Sequence, residues 1–476
     1  MTIAANARER HPWLDPFMGA EGAPLRALIK TVTDSVEAQE QAIGARQRKR
    51  RPADQAHHEA ALEAIISNLA YSILHPPKTG RLAILTGNAA IRRDRYSNPA
   101  MGKPVRMLLH RLSEIGVVAW DYGWRGNAST LAPTPEFAAM VRKAGIGLSD
   151  FGRQEGEELI LLWRTGSHFA GGEYVKSRTL VDYANTSQTD AFRATMEAVN
   201  RHLAASAIEF IDDGGEPVDS CNRRLRRFFV MPMRDPAPQR FDLSGRLYGG
   251  FWQNLKKDRR HRIRIAGEPV AVVDFSAMFP RLAYAAVGAP PPESDLYAIP
   301  GLEDHRSAVK LAVNTLLFDP TVNRKSWPKV DEEGKAMPPG WSIARFKKAL
   351  LSRHPVLRGS LGNARGLSFM HTESQIMVTV LTVLQGMGIT ALPLHDAVIV
   401  PVSAAQEARA VMMAVAEEIT SFALPVALSI PSLANGDEGS HEGEQSSWPS
   451  TSGPAYPTSS HSPIIPCIGP VTPPAE

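Results

Sequence analysis

Two aspartates stand at the ends of apolar runs, and they mark where this sequence could do chemistry. Asp274 closes the run Val270 to Val273 in "VAVVDFSAMFPRL". Asp396 lies in "ITALPLHDAVIVP", Ile389 to Pro401, which reads as a tight β-hairpin with apolar arms and a carboxylate at its tip. Each has an ordinary use. Asp274 or Ser276 can cap the helix that follows, and an aspartate often closes a turn. Each can also present a carboxylate to something positively charged. Between them lies "HRSAVKLAVNTLLF", in which Arg306, Lys310 and Asn314 step by four and line one helical face. Such a file is either solvated decoration or a grip on a triphosphate.

The elements that must position these groups follow from periodicity. Val270 to Val273 is a short buried strand, and a helix runs from Met278 to Val287 with Pro280 tolerated in its first turn. "FMHTESQIMVTVLTVLQGMG" is a helix with Gln375, Thr379, Thr382 and Gln385 in one polar stripe, and it feeds directly into the His395–Asp396 hairpin. "SAAQEARAVMMAVAEEITSF" is a further helix and "LPVALSI" a strand. The order is strand, Asp274, helix, cationic helix, helix, hairpin with Asp396, helix, strand.

The chain has 476 residues, enough for two or three domains with proper cores. Its 43% hydrophobic and 21% charged residues are ordinary for a globular protein. It holds no run of about 18 apolar residues, so no membrane span is expected. "MTIAANARERHPWLDPF" shows no secretory leader. Two cysteines, Cys221 and Cys467, exclude a disulfide framework and suit a reducing cytoplasm.

Net charge is only +4, but its distribution is uneven. From Cys221 to Arg264, 11 Arg and 2 Lys stand against 3 Asp. Phe228, Phe229, Tyr248, Phe251 and Trp252 interleave with these charges. A charge run is usually a solvated face, yet cations mixed with rings suit nucleic acid, with cations on phosphates and rings on bases or sugars. Upstream, "MGKPVRMLLHRLSEIGVVAW" gives an amphipathic helix stopped by Gly116 and followed by a short basic hairpin, which resembles a winged helix-turn-helix.

The order of elements, with its motifs, resembles the palm and fingers of template-dependent nucleic-acid polymerases. The likeness is greatest to the bacterial polymerase I family (family A) and the related single-subunit phage RNA polymerases. "VVDFSAMFPR" is similar to that family's D-Y-S-x-x-E-x-R through Asp274, Ser276 and Arg281. "RSAVK" matches R-x-x-x-K, and "LHDAVIVP" resembles the V-H-D-E hairpin through His395 and Asp396. "SGRLYGGFWQNL" is similar to the T-G-R-L…N-L-Q-N stretch through Gly245, Arg246 and Asn254, and "FMHTES" resembles a segment of the phage enzymes. The likeness covers about residues 240–435. It departs at Ala397, where the family has an acid, and at Phe279, where it has a glutamate. "DFSAMFPRL" and "KLAVNTLLF" also have some similarity to family B motifs. No exonuclease-like set of spaced acids is visible.

The resemblance implies a fold class of α/β (α+β) type: a right-hand palm with an antiparallel sheet and helical fingers, after a mostly helical N-terminal region. The expected divisions are a basic flexible arm (1–55), a winged-helix-like DNA-binding domain (56–140) and a helical connector or thumb-like region (141–215). Palm and fingers (216–435) and a disordered Ser/Pro/Gly-rich tail (436–476) follow. It further implies a DNA-directed DNA polymerase acting on a DNA primer-template with dNTPs. Two Mg2+ ions, or Mn2+, would be held by Asp274, Asp396 and the carbonyl of Phe275. Arg306, Lys310 and Asn314 would take the nucleotide phosphates. Phe279 would lie under the sugar and exclude a 2′-hydroxyl. Arg246, Asn254, His371 and His395 would touch DNA. The alternatives are a single-subunit RNA polymerase or primase and, in another class, a non-catalytic DNA-binding replication initiator.

Overall fold

Apolar residues recurring at helical spacing form the helices of the first unit, which runs to Glu158 in the computed structural model. The structure describes residues 11–46, 48–86, 94–123, 128–170, 173–233, 235–320, 323–328 and 335–431. The tail expected at 436–476 lies outside them. The first unit holds β1 (Met18–Ala20), α1 (Ala23–Ala42), α2 (Pro52–Leu74), β2 (Leu82–Ile84) and α3 (Val105–Glu114). It continues through β3 (Val118–Asp121), β4 (Ser129–Pro133), α4 (Pro135–Lys143) and β5 (Phe151–Arg153).

Residues 23–42, read above as part of a flexible arm, form α1. Its Leu25, Leu28, Val32 and Val36 join Leu62, Ile65, Ile66 and Leu69 of α2 in one core. Arg50, from the arm expected to be basic and flexible, has a side chain only 8% exposed and donates to Glu40 of α1 at 2.6 Å. Those charges therefore brace two helices. Leu108, Leu109 and Leu112 bring α3 to the same core. The three-stranded sheet has the order β2-β4-β3, all antiparallel. Thr134 caps α4 by accepting from Phe137 N at 3.1 Å.

The second unit begins at Leu159. Its elements are β6 (Ile160–Ala170), β7 (Glu173–Leu180), α5 (Ser187–Ala205), β8 (Ile208–Phe210), β9 (Arg226–Pro232) and β10 (Ser244–Tyr248). Next come α6 (Phe251–Asn254), β11 (Ile263–Ile265), β12 (Glu268–Phe275), α7 (Met278–Ala285), α8 (Arg306–Phe318) and α9 (Ile343–Arg353). Last are α10 (Gly366–Gly386), β13 (Leu392–Leu394), β14 (Ala397–Pro401), α11 (Ala405–Thr420) and β15 (Val426–Ser429). The mixture of helices and largely antiparallel sheets is the α/β class expected. One expected feature is corrected. Residues 160–180, assigned above to a helical connector, are a long hairpin in the sheet β10-β9-β6-β7. The apolar run Ile160 to Trp163 pairs with β9 in parallel, a contact between distant segments that overrides any local helical preference.

The central sheet has the order β13-β14-β12-β11-β8, with β15 also paired to β12. From Val272 to Asp274, β12 is flanked by β14 on one side and β15 on the other. A strand so enclosed reads as the unbroken apolar run seen in the sequence. Among the described residues, no helix is long and apolar enough to cross a membrane.

Candidate active site

Asp274 ends the central strand, and its register places it between two alanines. Ala397 of β14 is its partner on one side and Ala427 of β15 on the other. Cross-strand partners share a face, so small side chains stand beside Asp274 on both paired strands, and Ala427 is exposed. The position where the polymerase I pattern has an acid, 397, is thus directly opposite Asp274.

Asp396 arrives beside Asp274 through the hairpin. Leu394 pairs with Ala397, leaving His395 and Asp396 as a two-residue turn. His395 takes φ 59°, the left-handed conformation that such tight turns use. Phe275 N donates to Asp396 O at 3.2 Å, tying the turn to the strand that carries Asp274. Asp396 is buried, and so is the Phe275 side chain. After Phe275 the chain turns sharply: Ser276 N donates to Pro425 O at 2.9 Å, and Ala277 at φ 52° precedes α7. Among the described residues no group of three or more His, Cys, Asp or Glu gathers to hold a metal. The oxygen donors here are a pair of carboxylates with nearby backbone carbonyls, and the His395 imidazole stands next to Asp396 in the turn.

The "SGRLYGGFWQN" stretch supports this hairpin from behind. Trp252 Nε1 donates to Pro393 O at 2.8 Å, and Gln253 Nε2 to the same carbonyl at 3.0 Å. The His395 ring stands 5.7 Å from that of Tyr248. Burial, with the charges of Arg246 and Arg260 added, holds the His395 imidazole well below its ordinary pKa, so it is neutral. Asn254 is exposed on α6.

Arg246 is not placed to read DNA. Its side chain is 2% exposed and forms a bidentate pair with Glu373 of α10, at 2.6 and 2.7 Å. Burial opposes the charge, but Glu373 outweighs it and keeps the guanidinium above its ordinary pKa. The DNA contact expected of Arg246 is therefore corrected to an internal ion pair. Its carbon Cζ lies 5.5 Å from the Phe279 ring, which packs edge-on against Phe318 of α8 at 5.2 Å. Phe279 is itself buried. Gly245, at φ 90°, permits α10 to approach, since a Cβ there would lie 2.5 Å from Ser374 Oγ.

The rings that interleave with the arginines are also inside. Phe228, Phe229, Tyr248, Phe251 and Trp252 are all buried and form core, so they offer no stacking surface to bases. Phe192 and Phe229 stack on each other at 5.1 Å, and Arg227 lies against both, with Cζ 4.7 and 4.9 Å from their centroids. It donates to Gly245 O at 2.9 Å and Gln375 Oε1 at 3.0 Å, and burial pushes its pKa down to about 10. Arg223 donates to the carbonyls of Ser206 at 2.6 Å and Ile208 at 2.7 Å, just beyond α5. These two arginines are structural. Arg223→Ala and Arg227→Ala are each expected to lower stability by about 1–3 kcal/mol, because buried acceptors lose their donors. The salt dependence of DNA affinity should barely change. A flatter salt slope at an unchanged melting temperature would return both residues to a DNA surface.

His371 is partly buried 6.1 Å from Phe229, and burial, then Arg227, lowers its pKa. On α8, Arg306 is half-exposed and pairs with Asp295 at 2.8 Å while covering Tyr297. An ion pair so open to water contributes little and can exchange for a phosphate. Lys310 is partly buried. Asn314 is buried, and its Oδ1 has no hydrogen-bond partner among the described residues. An orphaned buried acceptor calls for an explanation, and a ligand is one. The structure thus gathers Asp274, Asp396, His395, Arg246 and Phe279, with α8 joined through Phe318. Sequence reasoning missed Glu373. Its signal was a single acid inside the apolar stretch of α10, where burial demands a cation.

No family description matches the chain, and no curated protein matches it. Among solved structures it is similar to the polymerase domain of Pol1 from M. smegmatis, which was determined with DNA primer-template and dNTP. The identity is 10% and the TM-score 0.26, over 87% of this chain and 66% of that one.

Proposed function

We propose that the second unit performs template-dependent nucleotidyl transfer as a DNA-directed DNA polymerase. The observation that carries this reading is the meeting of Asp274 and Asp396 at the joined ends of β12 and the β13–β14 turn, with alanines beside Asp274. Two carboxylates with a neighbouring backbone carbonyl suit a hard divalent ion such as Mg2+, or Mn2+. Asp274, Asp396 and the Phe275 carbonyl would hold two such ions. When bound, these neutralise charge on the attacking and leaving oxygens of a phosphoryl displacement.

The rest of the chemistry falls to the chain's own groups. Lys310 and Arg306 would bind the β- and γ-phosphates, Arg306 by leaving Asp295, while Asn314 Oδ1 would accept from the nucleotide or its water. Phe279 would close the pocket against a 2′-hydroxyl, held from behind by Arg246 and from the side by Phe318. Arg246 would orient rather than touch the substrate. Lys310→Ala is expected to raise the KM for dNTP and lower kcat together, by about ten- to a hundredfold in kcat/KM, as a charged phosphate contact is lost. Unchanged constants would reduce α8 to scaffold.

The decisive experiment is primer extension on a DNA template with dNTPs and rNTPs side by side, in Mg2+ and in Mn2+. Incorporation of dNTPs onto a primer supports the proposal. Preference for rNTPs, or synthesis without primer, would make the enzyme an RNA polymerase or primase. Binding of DNA with no incorporation under either metal would favour a replication initiator.

A further inference from the structure

The first unit carries an outward surface that the reading above does not use. On α3, Val105, Leu108, Leu109 and Leu112 face the core, which leaves Arg106, Met107 and His110 on the opposite, exposed side, with Lys103 just before the helix. Met107 is 56% exposed and Tyr122, just past β3, 54%. The Arg106 guanidinium lies 4.7 Å from the Tyr122 ring centroid, and His110 packs edge-on against Trp120 at 4.6 Å. Neither Lys103 nor Arg106 has an acidic partner among the described residues. The nearby acids are engaged: Asp121 with Arg81 at 2.8 Å, and Glu114 with Arg111 at 2.8 Å and Gln39 at 2.9 Å. The face is therefore cationic and partly apolar.

We infer that this face of α3, with Tyr122 beside it, binds double-stranded DNA by its major groove. Three features favour that occupant. A helix with its side chains is about 10–12 Å across and matches the width of that groove. Cations at the helix start and along its outer face, without an acidic partner among the described residues, suit phosphates, and an exposed Met suits thymine methyls. The rings are engaged with one another, Trp120 against Tyr122 at 5.9 Å and Arg106 over Tyr122, so they are not open platforms for single-stranded bases. Duplex RNA has a major groove too deep and narrow for side chains to read. The inference concerns the first unit alone and stands whether or not the second is a polymerase.

The test uses the full-length protein carrying Asp274→Asn, without nucleotide, and a blunt DNA duplex of about 20 base pairs followed by anisotropy across a salt series. Lys103→Ala with Arg106→Ala is expected to weaken duplex binding about tenfold and to reduce the salt slope by about two. Tyr122→Ala should weaken it further, and a thermal melt should be unchanged because all three side chains lie at the surface. Unaltered affinity and slope would overturn the inference. So would equal losses on single-stranded DNA or duplex RNA, since the groove argument would then fail. Catalytic activity enters none of these readings, so failure here and failure of the polymerase reading are separable.

Discussion

Asp274→Asn and Asp396→Asn are each expected to cut primer extension by at least about a thousandfold while leaving DNA affinity within about twofold, the pattern for a group that acts only on developing charge. Asparagine keeps the shape of the side chain and removes one charge. At position 274 the cross-strand neighbours on both paired strands are alanines, so the nearly isosteric amide meets no bulky side chain across the strands. At 396 the amide would still occupy the hairpin turn tied to Phe275 N through its backbone carbonyl, so the turn should persist. What is lost is charge on the oxygens that would hold the ions. Single-turnover incorporation should be measured at saturating primer-template, so that binding and chemistry are separated. Raising Mn2+ should recover a small part of the rate, if any. Retention of more than about a tenth of wild-type rate by either variant is incompatible with two-metal chemistry at this pair.

Glu373→Gln is expected to be the most destabilising single change in the second unit. It leaves Arg246, which is 2% exposed, as a buried cation without its carboxylate. Breaking one side of such a pair costs about 3–5 kcal/mol, or roughly 6–20 °C in melting temperature for a unit of this size. The physics also supplies a control. Replacing both partners by apolar groups, Arg246→Met with Glu373→Leu, should recover most of the stability, since the pair's own net contribution is small. If the ion pair matters only for stability, that double variant should incorporate dNTPs normally. If Arg246 positions the Phe279 ring, the variant should be stable yet less selective between dNTPs and rNTPs. A Glu373→Gln protein that melts like wild type would mean that Asp396, whose charge also favours the Arg246 cation, suffices to hold it.

What was legible in the sequence was local. Asp274 at a strand end, the two-residue turn at His395–Asp396 and the i, i+4 file of α8 are set by neighbours within a few residues, so periodicity alone could place them. The order of those elements was legible for the same reason. The roles of the arginines were not. Arg246 and Glu373 lie 127 residues apart, and their pairing exists only when β10 packs on α10 at Gly245. A string of charges mixed with rings has the same composition whether it faces water or the core. Only the pairing of β9 with β6 and β10 turned Phe228 and Phe229 inward and enclosed Arg227. The long hairpin at 160–180 was hidden similarly, because a parallel partner 67 residues away supplies what its own segment cannot. Sequence determined which residues stand at the ends of which elements. Tertiary packing decided which charges meet solvent, because burial is a property of neighbours brought from far along the chain.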